Sequence, residues 1–284
     1  MIDVFLTIIA IIWLIFASIS DLKKREVPDW LSYSLISIGF FASLLKSLIF
    51  KDLTFIISGL FVLLLFLLIG LLMYYTKQWG GGDVKVIIGL VTLIPNYPYD
   101  LLSYFSPNLD MPFILILIIN ILFIGSLYSI IYGVYLITKN KINLYKEIKN
   151  NKINKSYISS AILILIVSFF IKDIILKLML LLIGFLIVIL QYLFIFVNIV
   201  EKKCMVKKVN LDEISEGEWI LTNIYHKGKL IYDKKSLGIT QKQIELLKKL
   251  KIKKVLIKVG IPFVPTFLLA LITSLIFGNL IKVF

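Results

Sequence analysis

Apolar residues in this chain run in long uninterrupted blocks instead of recurring at every third or fourth position, and polar residues collect between the blocks. A helix that is apolar all round and about 20 residues long is a membrane span. Residues 2–20, 30–50, 53–76, 111–138, 174–198 and 261–281 read in this way. Two shorter runs, 84–94 and 156–171, fit tilted, re-entrant or buried helices. The pattern predicts an all-α polytopic membrane protein with about 6–8 transmembrane helices, eight by direct count.

Between residues 201 and 258 the pattern breaks: apolar positions become intermittent, and Gly, Asp, Lys and Glu rise. A small α/β cytosolic domain is predicted there. Residues 219–225 and 230–232 flank His226-Lys227-Gly228-Lys229 as a hairpin. Thr240 can cap a helix through Gln243, Leu246 and Leu247, and residues 253–257 alternate like a strand. Under 60 residues is a marginal size alone, so the domain is expected to lean on the bundle, as spacer, docking module or substrate-positioning element. The division is residues 1–200, a helix bundle; 201–258, the cytosolic domain; and 259–284, the final span.

Charge sets an expected orientation. The first block opens with Asp3, and its basic residues come afterwards, so it reads as a permanent anchor with the N-terminus outside and not as a cleaved signal. Alternating spans from there place Lys23, Lys24, Arg25, Lys77, Lys85, the run 139–155 and the polar block on the cytoplasmic side. Lys46, Lys51, Lys172, Lys177 and Lys282 fall outside. That asymmetry obeys the positive-inside rule.

Composition narrows the chemistry. The chain is 60% hydrophobic with a net charge of +14, but its cations flank apolar segments, where an anionic lipid surface and not nucleic acid is the natural partner. Cys204 and His226 are each alone of their kind. An intrachain disulfide, a CxxC zinc site, a Cys–His nucleophilic pair and an HExxH site are therefore excluded. Hydrolysis would need carboxylates or a Ser/Lys pair such as Ser18 or Ser20 with Lys23.

Two carboxylates stand at span ends. Asp21 directly follows the first apolar block, and Asp83 follows Gly80-Gly81-Gly82 between the third and fourth. In the topology above both lie at the cytoplasmic level. Ionisable groups at membrane depth point to function. Each also has a plain reading, Asp83 as a helix N-cap and Asp21 as a surface charge beside Lys24 or Arg25. Three successive glycines permit positive φ and close chain approach.

Together these residues resemble a known family. Gly80-Gly81-Gly82-Asp83 is similar to the GxGD motif of intramembrane aspartyl proteases. Asp21, with Arg25 and Pro28-Asp29 after it, resembles the first-aspartate region of type IV prepilin peptidases, the archaeal preflagellin and prepilin peptidases above all. Gly260-Ile261-Pro262-Phe263-Val264-Pro265 resembles the start of the family's last helix. The resemblance implies catalytic aspartates at Asp21 and Asp83, active-site-loop glycines at Gly80 and Gly82, and neither metal nor cofactor. It implies archaellin or pilin-like precursors as partners, cleaved after a short basic leader at the cytoplasmic face, with Glu26 and Asp29 either attracting that leader or acting as ordinary loop charges. The usual six-span plan is extended here to about eight. The cysteine-bearing loop of bacterial relatives is absent, so their N-methylation is not implied.

Adjacent carboxyls share a proton, so one can act as base on a water while the other polarises the scissile carbonyl. Lys23, Lys24, Lys77 and Lys85 either keep the pair ionised or anchor headgroups. The rival readings are a cation-coupled transporter, with Asn120, Gln191 and Asn198 lining its path, and a non-catalytic scaffold presenting the polar domain.

Overall fold

The computed structural model describes residues 2–151, 155–250 and 252–282. Lys152 and Lys251, within the basic run and the polar block, lie outside the described residues. The chain forms α1 (Ile2–Lys24), α2 (Asp29–Phe50), α3 (Thr54–Tyr75), α4 (Gly81–Leu93), α5 (Phe113–Lys139), α6 (Leu144–Asn150), α7 (Lys155–Phe170) and α8 (Ile174–Ile199). After these come β1 (Val206–Asn210), β2 (Trp219–Ile220), β3 (Ile224–His226), β4 (Lys229–Tyr232), α9 (Gln241–Lys249), β5 (Lys254–Lys258) and α10 (Val264–Ile276). This is a mostly helical, multi-pass membrane protein with a small mixed domain near its C-terminus.

Each apolar block appears as a helix, but length separates them. Among the described residues, α1, α2, α3, α5 and α8, the last running on through a π-helical turn to Met205, are long and apolar enough to cross a membrane by themselves. Helices α4 and α10 have 13 residues each, or about 20 Å of axis, short of the roughly 30 Å of hydrocarbon. The shortening of the predicted last span has local causes. Pro265 is tolerated only because it lies in the first turn of α10. At the other end Gly278 takes φ 73° with its backbone against Asn108, where an added Cβ would collide.

Helices α1 to α5 and α10 share one core. Its centre is α4, buried from Val86 through Leu93, packed on α2 and α3 while α10 lies between α1 and α5. Backbones meet closely at Gly39 of α2, where a Cβ would stand 2.7 Å from the Leu93 nitrogen. Asn120 of α5 fastens α10: its Nδ2 donates to Ser274 Oγ and the Gly278 carbonyl, both at 2.8 Å, and its Oδ1 accepts from Leu280 N–H at 3.2 Å. A side chain so engaged is a helix fastener, not the lining of an ion path.

Helices α7 and α8 pair mainly with each other and form a hairpin beside this core. At its base Ile137 of α5 packs with Val200 and Cys204.

In the polar domain β5 is central, with β1 and β2 antiparallel to it on either side, Val206 and Trp219 both opposite Lys258. The expected hairpin is shorter than read from sequence: β3 and β4 pair around Lys227-Gly228, both at positive φ, whereas Trp219 and Ile220 belong to the other sheet. Positive φ at both central residues matches the twist of a two-residue hairpin. Thr240 caps α9 as expected, in a reciprocal arrangement with Gln243. Leu247 and Ile244 of α9 close a core with Ile220, Tyr232, Val255 and Ile257.

Candidate active site

The last turn of α1 carries Asp21, and only 6% of its surface is exposed. It is not the surface charge that its basic neighbours allowed. One carboxylate oxygen accepts the Val264 backbone N–H at 3.0 Å, from the first turn of α10. That amide belongs to the unpaired N-terminal set of a helix, which favours an anion.

Arg25 ends α1. Its N–H returns to the Asp21 carbonyl at 2.9 Å while its φ of 61° turns the chain away. A non-glycine residue in that region is strained by about 1–2 kcal/mol, and its side chain holds it there. The guanidinium donates to the Gly260 carbonyl and to the Tyr132 hydroxyl, each at 2.5 Å, and lies 5.4 Å from the Tyr132 ring centroid. Arg25 therefore joins α1, α5 and the segment leading into α10, and it is the cation acting on Asp21.

Asp83 comes from the opposite side. It occupies the third position of α4, not the N-cap that sequence allowed; Gly80 is the cap, and its N–H donates to an Asp83 carboxylate oxygen at 3.0 Å. The glycines do not take positive φ, contrary to expectation; in this loop Lys77 does, at 59°. Their value is space. A Cβ on Gly80 would come within 3.3 Å of that carboxylate, and one on Gly82 would touch Val27 of the α1–α2 loop.

The fold brings the helix ends carrying the two aspartates together: α1 packs on α4, and Gly82, next to Asp83, sits against Val27 just after α1. Their helix ends are walled by Trp79, whose ring packs on Phe263 and Phe267.

The lysines divide. Lys85 pairs with Asp29 and lies over the Tyr33 ring, so Asp29 already has a cationic partner. Lys77 donates to the carbonyls of Lys235 and Ser236 at 3.0 Å each, tying the loop before Gly80 to the polar domain. Lys23 and Lys24 are exposed. Glu26 is exposed too, and it faces Glu218 of the polar domain, a carboxyl raised above its ordinary range first by burial and then by the Glu26 charge.

Comparison with known proteins bears on this constellation. The sequence model of the type IV leader peptidase family matches residues 8–134, a stretch from α1 into α5 that includes both aspartates and the glycine loop. Residues 8–134 are thus similar to the type IV leader peptidase family. A preflagellin peptidase of Methanococcus voltae is 30% identical over 141 residues, covering 50% of this chain and 60% of that protein. The prepilin peptidase EppA of Methanothermobacter thermautotrophicus is 28% identical over 167 residues, 56% of this chain and 42% of its own. A preflagellin peptidase of Methanocaldococcus jannaschii is 36% identical over 90 residues, 32% and 38% respectively. The chain thus spans between 38% and 60% of the length of these relatives. No solved structure matches it.

The matched stretch does not complete the site alone, because Val264 and Gly260 lie far beyond residue 134. Sequence reasoning singled out both aspartates and quoted Arg25 and the 260–265 segment only as motif. A cation four residues after Asp21, one helical turn on, and a proline-flanked helix start were the available signals for the contacts they make.

Proposed function

We propose that the protein is a membrane aspartyl endopeptidase that removes the short basic leader from archaellin or type IV pilin-like precursors, with Asp21 and Asp83 as its catalytic pair. The observation that carries this reading is the meeting of those two carboxylates at adjoining helix ends, within a stretch similar to the type IV leader peptidase family. Two neighbouring carboxyls cannot both ionise cheaply, so they hold one proton between them. The ionised member takes a proton from water as the water oxygen adds to the scissile carbonyl carbon. The protonated member then gives its proton to the leaving nitrogen as the C–N bond breaks.

Val264 N–H and Gly80 N–H each fix one carboxylate, so the chemistry starts from aligned groups. The active site faces the cytoplasm in this reading, with the N-terminus outside, supported by the basic residues that cluster at the same helix ends.

Cleavage of archaellin and pilin precursors in membranes carrying wild type, Asp21→Asn or Asp83→Asn tests the proposal. Each substitution is expected to lower processing by at least about 10³-fold at equal abundance. Processing by either variant at the wild-type rate would remove the dyad.

A further inference from the structure

Gly125, Tyr128 and Tyr132 lie on one face of α5, at i, i+3 and i+7. Both ends of that face are fixed against the site. At Gly125 a Cβ would stand 2.7 Å from the Phe263 ring and 3.2 Å from Thr266, at the start of α10 whose amide holds Asp21. At the other end Tyr132 accepts from Arg25.

Tyr128 lies between these anchors, stacked on Tyr132 with centroids 5.9 Å apart and planes 25° from parallel. Its hydroxyl oxygen is buried and has no hydrogen-bond partner among the described protein groups. The groups acting on it electrostatically are Tyr132, Asp21 and Arg25. Two further buried hydroxyls without a protein partner, Ser18 and Thr266, lie within one helical turn of Asp21 and Val264. Leaving such a group unpaired is costly, and a ligand offering an acceptor would recover that cost.

Resting on the peptidase reading, we propose that Tyr128 is a further catalytic residue whose O–H donates a hydrogen bond to the scissile carbonyl oxygen of the substrate. As water adds to the carbonyl carbon, the π electron pair moves onto that oxygen and the bond from Tyr128 strengthens. When the C–N bond breaks the pair returns, and the leaving amine receives its proton from the carboxyl; Tyr128 keeps its own proton throughout. The interaction grows in the transition state, so it acts on kcat more than on KM.

The test is precursor cleavage by full-length wild type, Tyr128→Phe, and protein carrying a fluorinated, more acidic tyrosine at 128, with Asp21→Asn alongside. Tyr128→Phe keeps the ring and its stacking. It is expected to lower kcat by about 10²-fold with KM nearly unchanged, and the fluorinated tyrosine is expected to move the alkaline limb of the pH–rate profile to lower pH. Wild-type cleavage by Tyr128→Phe beside an inactive Asp21→Asn would overturn this inference and leave the peptidase reading standing. A slower Tyr128→Phe with an unmoved alkaline limb would make the hydroxyl a packing group and also overturn it. Absence of cleavage by wild type would sink the peptidase reading, and the inference with it.

Discussion

Helices α4 and α8 are both apolar along almost their whole length, yet they answer to different solvents. In α4, 13 residues long, every side chain from Val86 to Leu93 is buried against protein. In α8, 26 residues long, full burial is confined to Gly184, Gln191, Ile195 and Ile199, and most of the rest of its apolar surface faces outward. Apolarity alone drives a segment out of water; it does not choose between lipid and protein as the destination. Length and small residues decide that. A short helix cannot reach across the hydrocarbon and must be enclosed, and it is enclosed closely only where a glycine removes a side chain.

The largest effect expected within this contrast is at Gly39. Any side chain there meets the Thr92 and Leu93 backbone of α4, which cannot rotate away. Gly39→Leu should separate α2 from α4, destabilise the bundle by about 3 kcal/mol or more, and displace Asp83. A fall in detergent Tm together with loss of cleavage checks this; normal activity would show that α4 is not held as described.

Arg25 comes next, because it acts at one helix end and not along a helix face. Arg25→Ala removes two charge-assisted hydrogen bonds and the cation beside Asp21. Hydrogen bonds to charged groups are worth about 1.5–3 kcal/mol, so cleavage is expected to fall by roughly 10- to 100-fold. Arg25→Lys keeps the charge without the fork and should recover only part of that loss. Full recovery would reduce the role of Arg25 to charge alone.

These two residues show where the sequence is legible. The blocks that became α1, α2, α3, α5 and α8 could be read because their length matches the bilayer, an external ruler. Asp21 and Asp83 could be read because carboxylates at span ends are costly. Other features depend on a partner distant along the chain. The Val264 amide reaches Asp21 from over two hundred residues away, and the proline-flanked helix start at 260–265 signals a free amide without naming its partner. Trp219 and Ile220 look like the start of a hairpin, but their partner strand is β5, which follows an intervening helix. At Gly80 to Gly82 two reasons were legible, positive φ and close approach, and the loop uses only the second.

A third surface, where the polar domain meets the bundle, should differ from both helices in being sensitive to pH. Folding raises the pKa of Glu218 through burial and the facing Glu26 charge. An acid raised in this way opposes docking only when ionised. The contact is therefore firmest at pH below the ordinary carboxylate range and weakens as pH rises through that value toward the raised one. Limited proteolysis of the 206–258 region at a series of pH values should show increasing cleavage over this rise, and Glu218→Gln should flatten it. An unchanged profile in that variant would assign the contact to Lys77 and the backbone alone. The effect should be modest, since Glu218 is half-buried and screened by water.

The smallest effect is expected at Gly184, the α8 counterpart of Gly39. A Cβ there meets the side chain of Leu165 on α7 at 2.9 Å, with the nearest backbone atom, the Ala161 carbonyl oxygen, at 3.5 Å. A leucine side chain can change rotamer, and its other neighbours are lipid chains that yield without cost. Gly184→Leu should therefore shift stability by about 1 kcal/mol or less and leave precursor cleavage at the wild-type rate, because α7 and α8 carry none of the groups around Asp21 and Asp83. Tm and cleavage measured beside Gly39→Leu give the contrast directly. Loss of cleavage in the Gly184 variant would mean that the hairpin supports the site through α5, by way of Gly133 packed on Phe196 and Val200, and the division between an enclosed core and a lipid-facing addition would have to be redrawn there.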